Sequence, residues 1–193
     1  MSEVLYQVLY AVVLLAVLVI STIINYTDFK KREISNWLNL AVLLVGIGNL
    51  FIQMIGTGTD GHWNLNALWT GLIAMGGFLL IGVVMFTFNH DAFGGGDVKL
   101  VAASGLLLTK MQDILIYAIA LLVFSVIVFI IAKIQKQRSV AGGPSLCLAL
   151  IVAISISAPA IYIGIPAIVV GLGSTIAVFL ILKSKGLLYN GEE

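Results

Sequence analysis

A chain of 193 residues that is 61% hydrophobic and only 10% charged cannot cover its apolar surface in water, because soluble domains are about a quarter charged and small ones leave much of their surface at the water boundary. Lipid must be the solvent, as the mean hydropathy of +1.13 also indicates. The net charge of +1 gives no reason for a nucleic-acid partner, and Cys147 alone allows neither an internal disulfide nor a Cys/His metal cluster.

In chain order, residues 4–24 are uncharged, preceded by Glu3 and followed by Lys30, Lys31 and Arg32. The run is too long for a signal h-region and lacks a basic segment before it, so it reads as a retained first span. A second span is expected over 38–55, then the polar seam Gly56 to Gly61, then a third span over 67–88 with Trp63 and Trp69 as aromatic anchors at its outer end. His90 and Asp91 precede the run Gly94-Gly95-Gly96-Asp97, which opens a short apolar segment over 98–109. Further spans are expected over 114–132, 145–163 and 166–182, the last two divided at Gly164-Ile165-Pro166. No internal repeat is visible, and the fold class is an all-α polytopic bundle of six or seven spans, one membrane-embedded domain over 1–193. Basic residues decide between six and seven. Only if 98–109 crosses do the clusters at Lys30–Arg32, Lys133–Arg138 and Lys183–Lys185 share the cytoplasmic side.

In that topology Asp28, just past the first span, and Asp97, at the entrance to the short segment, both face the cytoplasm near headgroup level. Ionisable groups at membrane depth are costly and often functional. Two carboxyls sharing one proton allow one to draw a proton from water while the other donates to a substrate carbonyl, with no cofactor and no metal. The three glycines before Asp97 leave bare backbone where an extended peptide can approach. The apolar run after Asp97 places it at a helix N-terminus, whose partial positive charge favours the ionised form. No Gly-Lys-Ser/Thr follows, which argues against a nucleotide loop. Each acid also has a plainer reading, Asp28 as an interface charge and Asp97 as a helix cap. Asp60 and Asp113 read as structural residues of outer turns, Glu33 and His62 as solvated turn residues, Lys99 as snorkelling to headgroups or tuning Asp97, and Cys147 as a packed hydrophobe. Asp91 stays open.

The segment Asp28-Phe-Lys-Lys-Arg-Glu-Ile-Ser-Asn36 resembles the first aspartate motif of the type IV prepilin peptidases. Gly94-Gly95-Gly96-Asp97-Val-Lys99-Leu resembles their second, and Ala141-Gly-Gly-Pro144 their later Gly-Pro marker. The resemblance implies a membrane aspartyl endopeptidase of the cytoplasmic membrane that cuts the basic leader from prepilin-like substrates on the cytoplasmic side. Asp28 and Asp97 match the two catalytic acids, with Asn36 and Lys99 as supporting residues. Ser35 stands where the family has proline, which loosens the local turn. The cysteine-bearing cytoplasmic insert of larger members has no counterpart, so the chain is similar to the short, peptidase-only type found with tight-adherence pili and archaeal preflagellins, and no methyltransferase activity is expected. A small ion or solute transporter is the alternative from another class; it calls for mid-span acids, broken helices and a repeat. Presenilin-like enzymes share the Gly-x-Gly-Asp pattern but place their first acid within a span.

Overall fold

The computed structural model describes residues 1–56, 63–88, 94–134 and 141–188. These residues form seven α-helices and no strand: α1 (Glu3–Lys31), α2 (Asn36–Gly56), α3 (Leu65–Phe88), α4 (Gly95–Gly105), α5 (Met111–Ile134), α6 (Gly143–Ile156) and α7 (Ile161–Ser184). Helices α1, α2, α3, α5 and α7 are long and apolar enough to cross a membrane, and the chain is a multi-pass membrane protein. Large apolar side chains such as Leu15, Leu80, Leu122 and Val169 are exposed along them. That exposure is normal where lipid is the solvent, since lipid tails are as apolar as leucine.

The interior belongs to the two short helices. α6 is buried on nearly every side from Gly143 to Ile151, and α4 with the turns after it is buried from Leu100 to Leu108. Being enclosed by protein, they need not span a bilayer's thickness by themselves, because irregular backbone is tolerated at membrane depth when protein covers it. The side-chain amide of Asn49 on α2 donates to the Leu107 carbonyl (3.1 Å) and so pairs one such group. Small residues allow the close crossings. A Cβ on Gly46 would lie 2.8 Å from Leu106 Cβ, and one on Gly105 would run into the backbone of Met75 on α3.

Interhelical bonds fix which helix ends lie together. At one end Tyr6 donates to Gln53 (2.9 Å), Tyr10 donates to the Ile154 carbonyl (2.6 Å), and Ser157 donates to Asp113. At the other, the Gly143 amide meets Asp28 and Lys99 meets Asn36. Successive described helices therefore alternate in direction, giving seven passes once α4 and its following turns are counted. The second end carries Lys30, Lys31, Arg32, Lys99, Lys133, Lys183 and Lys185; among described cationic side chains only Lys110 lies at the first. Within a turn of Asp28, Asn25 donates to Thr175 (2.8 Å), joining α1 to α7.

Three expectations need correction. The first helix does not stop near residue 24 but continues to Lys31, because nothing before Arg32 breaks it; Arg32 then caps it in the left-handed conformation, φ 57°. Asp28 accordingly sits on the helix rather than beyond it. The last two helices divide at 157–160 and not at Gly164-Ile165-Pro166. Pro159 disfavours helical backbone at Ala158, whereas Gly164 lies inside α7 because its missing side chain lets the helix press against the Ser155 carbonyl. The short segment starts at Gly95, three residues earlier than expected. Asp60, His62, His90 and Asp91 lie outside the described residues.

Candidate active site

Asp28 occupies the last turn of α1 and is 4% exposed. Its Oδ2 accepts the Gly143 amide at 2.8 Å. Gly143 is the first residue of α6, so this amide is one of the N-terminal donors that no helical carbonyl can reach. One turn after Asp28, Arg32 returns its own amide to the Asp28 carbonyl (3.0 Å).

Asp97 lies in the first turn of α4, and its Oδ2 accepts the Gly94 amide at 3.1 Å. A helix N-terminus was expected to favour ionisation, yet the carboxyl is pushed up to about 6. Burial is the larger cause and the charge of Asp28 the second, and together they outweigh the Gly94 amide. Two carboxyls that feel each other in this way titrate as a pair. Shape brings out the same closeness. A Cβ on Gly142 would lie 3.0–3.2 Å from the carboxyl atoms of Asp97, and one on Gly143 would lie 2.9 Å from Asp28 Oδ2. Two consecutive glycines at the entrance to α6 thus touch the two acids, one each.

The three glycines before Asp97 divide into two kinds. Gly94 and Gly95 are exposed, whereas Gly96 is pressed under the turn between α1 and α2. A Cβ there would come within 3.0 Å of the Ile34 carbonyl and 3.1 Å of Ile34 Cβ. Two side chains of α2 hold this crossing: Asn39 donates to the Gly96 carbonyl (3.3 Å), and Asn36 accepts from the Lys99 ammonium (2.8 Å). Asn36 and Lys99 therefore join the α1–α2 turn to α4. Above them a cavity of about 420 Å³ opens, lined by Thr27, both acids, the turn from Lys31 to Asn36 and the three glycines. It holds charges of both signs, with Glu33 among its walls.

Other candidates lie elsewhere. Asp113 is at the opposite end, where it accepts from Ser157 and from the Lys110 amide, as a structural residue would. Cys147 is buried inside α6. The contact of Gly142-Gly143 with the acids, and the role of Asn39, are not visible in the sequence motifs. An asparagine three residues after Asn36 puts two amides on one helix face, which was the available signal for the second.

The sequence model of the type IV leader peptidase family matches residues 5–133, a stretch that includes both acids and ends before Gly142. Neither a curated protein nor a solved structure matches the chain. With two thirds of its length matched, the chain belongs to the type IV leader peptidase family.

Proposed function

We propose that the chain is an aspartyl endopeptidase that removes the leader of type IV prepilin-like precursors at the cytoplasmic membrane face, with Asp28 and Asp97 as its two catalytic acids. The observation that carries this reading is that both carboxyls line one cavity while each packs against one glycine of the Gly142–Gly143 step. Residues far apart in sequence thereby share one small volume and, by mutual repulsion, one proton. The concentration of lysine and arginine at that end of the bundle supports a cytoplasmic orientation.

The chemistry follows from the shared proton. The ionised carboxyl takes a proton from water as its oxygen bonds to the scissile carbonyl carbon, and the protonated carboxyl donates to the carbonyl oxygen. Collapse of the resulting gem-diol breaks the C–N bond, the leaving nitrogen takes up a proton, and the pair returns to its single-proton state. The substrate is a chain with a basic leader followed by a hydrophobic helix. The helix lies in lipid against the bundle, and the leader meets the cavity, where Glu33 and the acid pair offer partners to its basic residues beside Lys31 and Arg32. Exposed Gly94 and Gly95 leave backbone against which an extended peptide can lie.

Co-expression with a prepilin-like substrate, followed by mobility of the product, tests the assignment in Asp28→Asn and Asp97→Asn separately. Each variant is expected to insert and fold while processing stops. Processing near the wild-type rate in either one removes that residue from the mechanism.

A further inference from the structure

We propose that the Gly142–Gly143 step is a third working part of the site: the Gly143 amide positions Asp28 as its charged carboxylate, and the absent side chain of Gly142 leaves Asp97 the room to reach the same water. This rests on the two-acid reading above and goes beyond it, since the family match ends at residue 133 and assigns nothing to α6.

The geometry supplies the argument. The amide is 2.8 Å from Asp28 Oδ2, a distance typical of a charge-assisted bond. It also stands at the N-terminus of a 14-residue helix, where peptide dipoles favour negative charge. Pro144, next in the chain, has no amide of its own, so Gly143 supplies the donor at the entrance to α6. Among the described residues, the groups that act electrostatically with Asp28 include Arg32 on its own helix, Asp97 on α4 and the Cys147 thiol on α6. Among these only Arg32 is cationic, and its charge, like the amide, opposes the cost of burying a charged carboxylate at Asp28. Space is as restrictive as charge. A methyl on Gly143 would press on Asp28 Oδ2 and on Ile24 Cγ2 (3.2 Å), and one on Gly142 would press on all three outer atoms of the Asp97 carboxyl group. Neither acid can retreat freely, because each is held by a backbone amide, from Gly143 and Gly94 respectively.

The test compares kinetics of Gly142→Ala and Gly143→Ala with two controls on purified protein and a prepilin-like substrate. Gly173→Ala adds a methyl where nothing lies within 4 Å, and Gly56→Ala presses on the Tyr6 ring at the far end of the bundle, away from α6. Gly143→Ala is expected to lower kcat about tenfold to a hundredfold, the worth of a hydrogen bond to a charged group. KM should change little, and the acid limb of the pH–rate profile should move to higher pH because a proton now competes better for the charged carboxyl. Gly142→Ala should likewise lower kcat more than it raises KM. Gly56→Ala should lose stability with its pH profile unmoved, and Gly173→Ala should behave as wild type. A Gly143→Ala enzyme with wild-type kcat and an unshifted profile overturns the proposal. If that variant does not fold, dual glycine labelling of the wild-type protein isolates the amides of Gly-Gly steps by NMR. The Gly143 amide should then move with pH in the wild type and lose that response in Asp28→Asn; an amide that ignores pH in the wild type overturns the proposal. Activity remaining in Asp28→Asn or Asp97→Asn would instead refute the two-acid reading, so the two failures are distinguishable.

Discussion

Replacing Asp97 with asparagine should make the protein more stable while stopping its chemistry. The carboxyl of Asp97 moves from an ordinary 3.8 to about 6 through burial and the charge of Asp28. At about 1.4 kcal/mol for each tenfold change in proton affinity, that is about 3 kcal/mol against the ionised form. Partial exposure of Asp97 makes this an upper figure. The folded state holds its proton more tightly than the unfolded chain does, so wild-type stability is full below about pH 4. It falls between about pH 4 and pH 6 and is level above that. Asparagine keeps an oxygen for the Gly94 amide but never ionises, and its stability should not fall across that window. Thermal unfolding in detergent at a series of pH values measures the difference. Chains of this length shift by about 2–4 °C per kcal/mol, so the gap should grow from near zero at pH 4 to about 6–12 °C above pH 6.5. In an Asp28→Asn background the gain should shrink, since part of it comes from repulsion between the acids. A gap that is absent, or constant with pH, would refute the claim that ionising Asp97 is costly in the folded site.

Further outcomes follow from the same contacts. kcat/KM for leader cleavage should decline on the alkaline side with a midpoint near pH 6, where Asp97 loses the shared proton; a flat profile from pH 5 to pH 8 would contradict the pair mechanism. Gly96→Ala drives a methyl against the Ile34 carbonyl and should cost about 1–3 kcal/mol, the range for overpacking, together with most of the activity. Thermal unfolding and cleavage rate check the two parts. Thr175→Val leaves the buried Asn25 amide without its acceptor. It should destabilise by about 0.6–2 kcal/mol, as interhelical bonds in membranes do, with the pH–rate profile unchanged.

Much of this was legible in the sequence because lipid makes hydropathy a direct record of which segments are enclosed by the bilayer. Residues 38–55 and 67–88 were placed within two residues of α2 and α3 at each end. Basic clusters at Lys30–Arg32, Lys133 and Lys183–Lys185 favoured seven passes over six, and the described helix ends alternate in that sense. Asp28 and Asp97 stood out as acids beside spans, and the fold brings them together. What hydropathy could not reveal was depth of burial. α4 is the least apolar of the described helices and α6 is no more apolar than α3 or α5, yet these two alone are enclosed by protein, a matter of tertiary packing. Nor could it tell breaker glycines from contact glycines: Gly164 and Gly96 are both close-approach positions, and only the neighbouring backbone identifies them. The elevated proton affinity of Asp97 was missed for a related reason. A helix N-terminus is visible in sequence, but the desolvation that overrides it belongs to the assembled cavity.

The clasp between Ser157 and Asp113, with Tyr10 gripping the Ile154 carbonyl nearby, sets how far along the bundle axis α6 is seated. From Ile154 back to Gly143 the helix is a straight strut of about 16 Å at 1.5 Å per residue. A slip of one residue at the clasp would carry the other tip 1.5 Å along and turn it about 100°, taking its amide away from Asp28. Displacements of about 1 Å can cost a hundredfold in rate. The alignment of the reacting groups is therefore partly decided at the opposite membrane face, and lesions around Ser157 or Tyr10 should slow cleavage although they touch neither carboxyl.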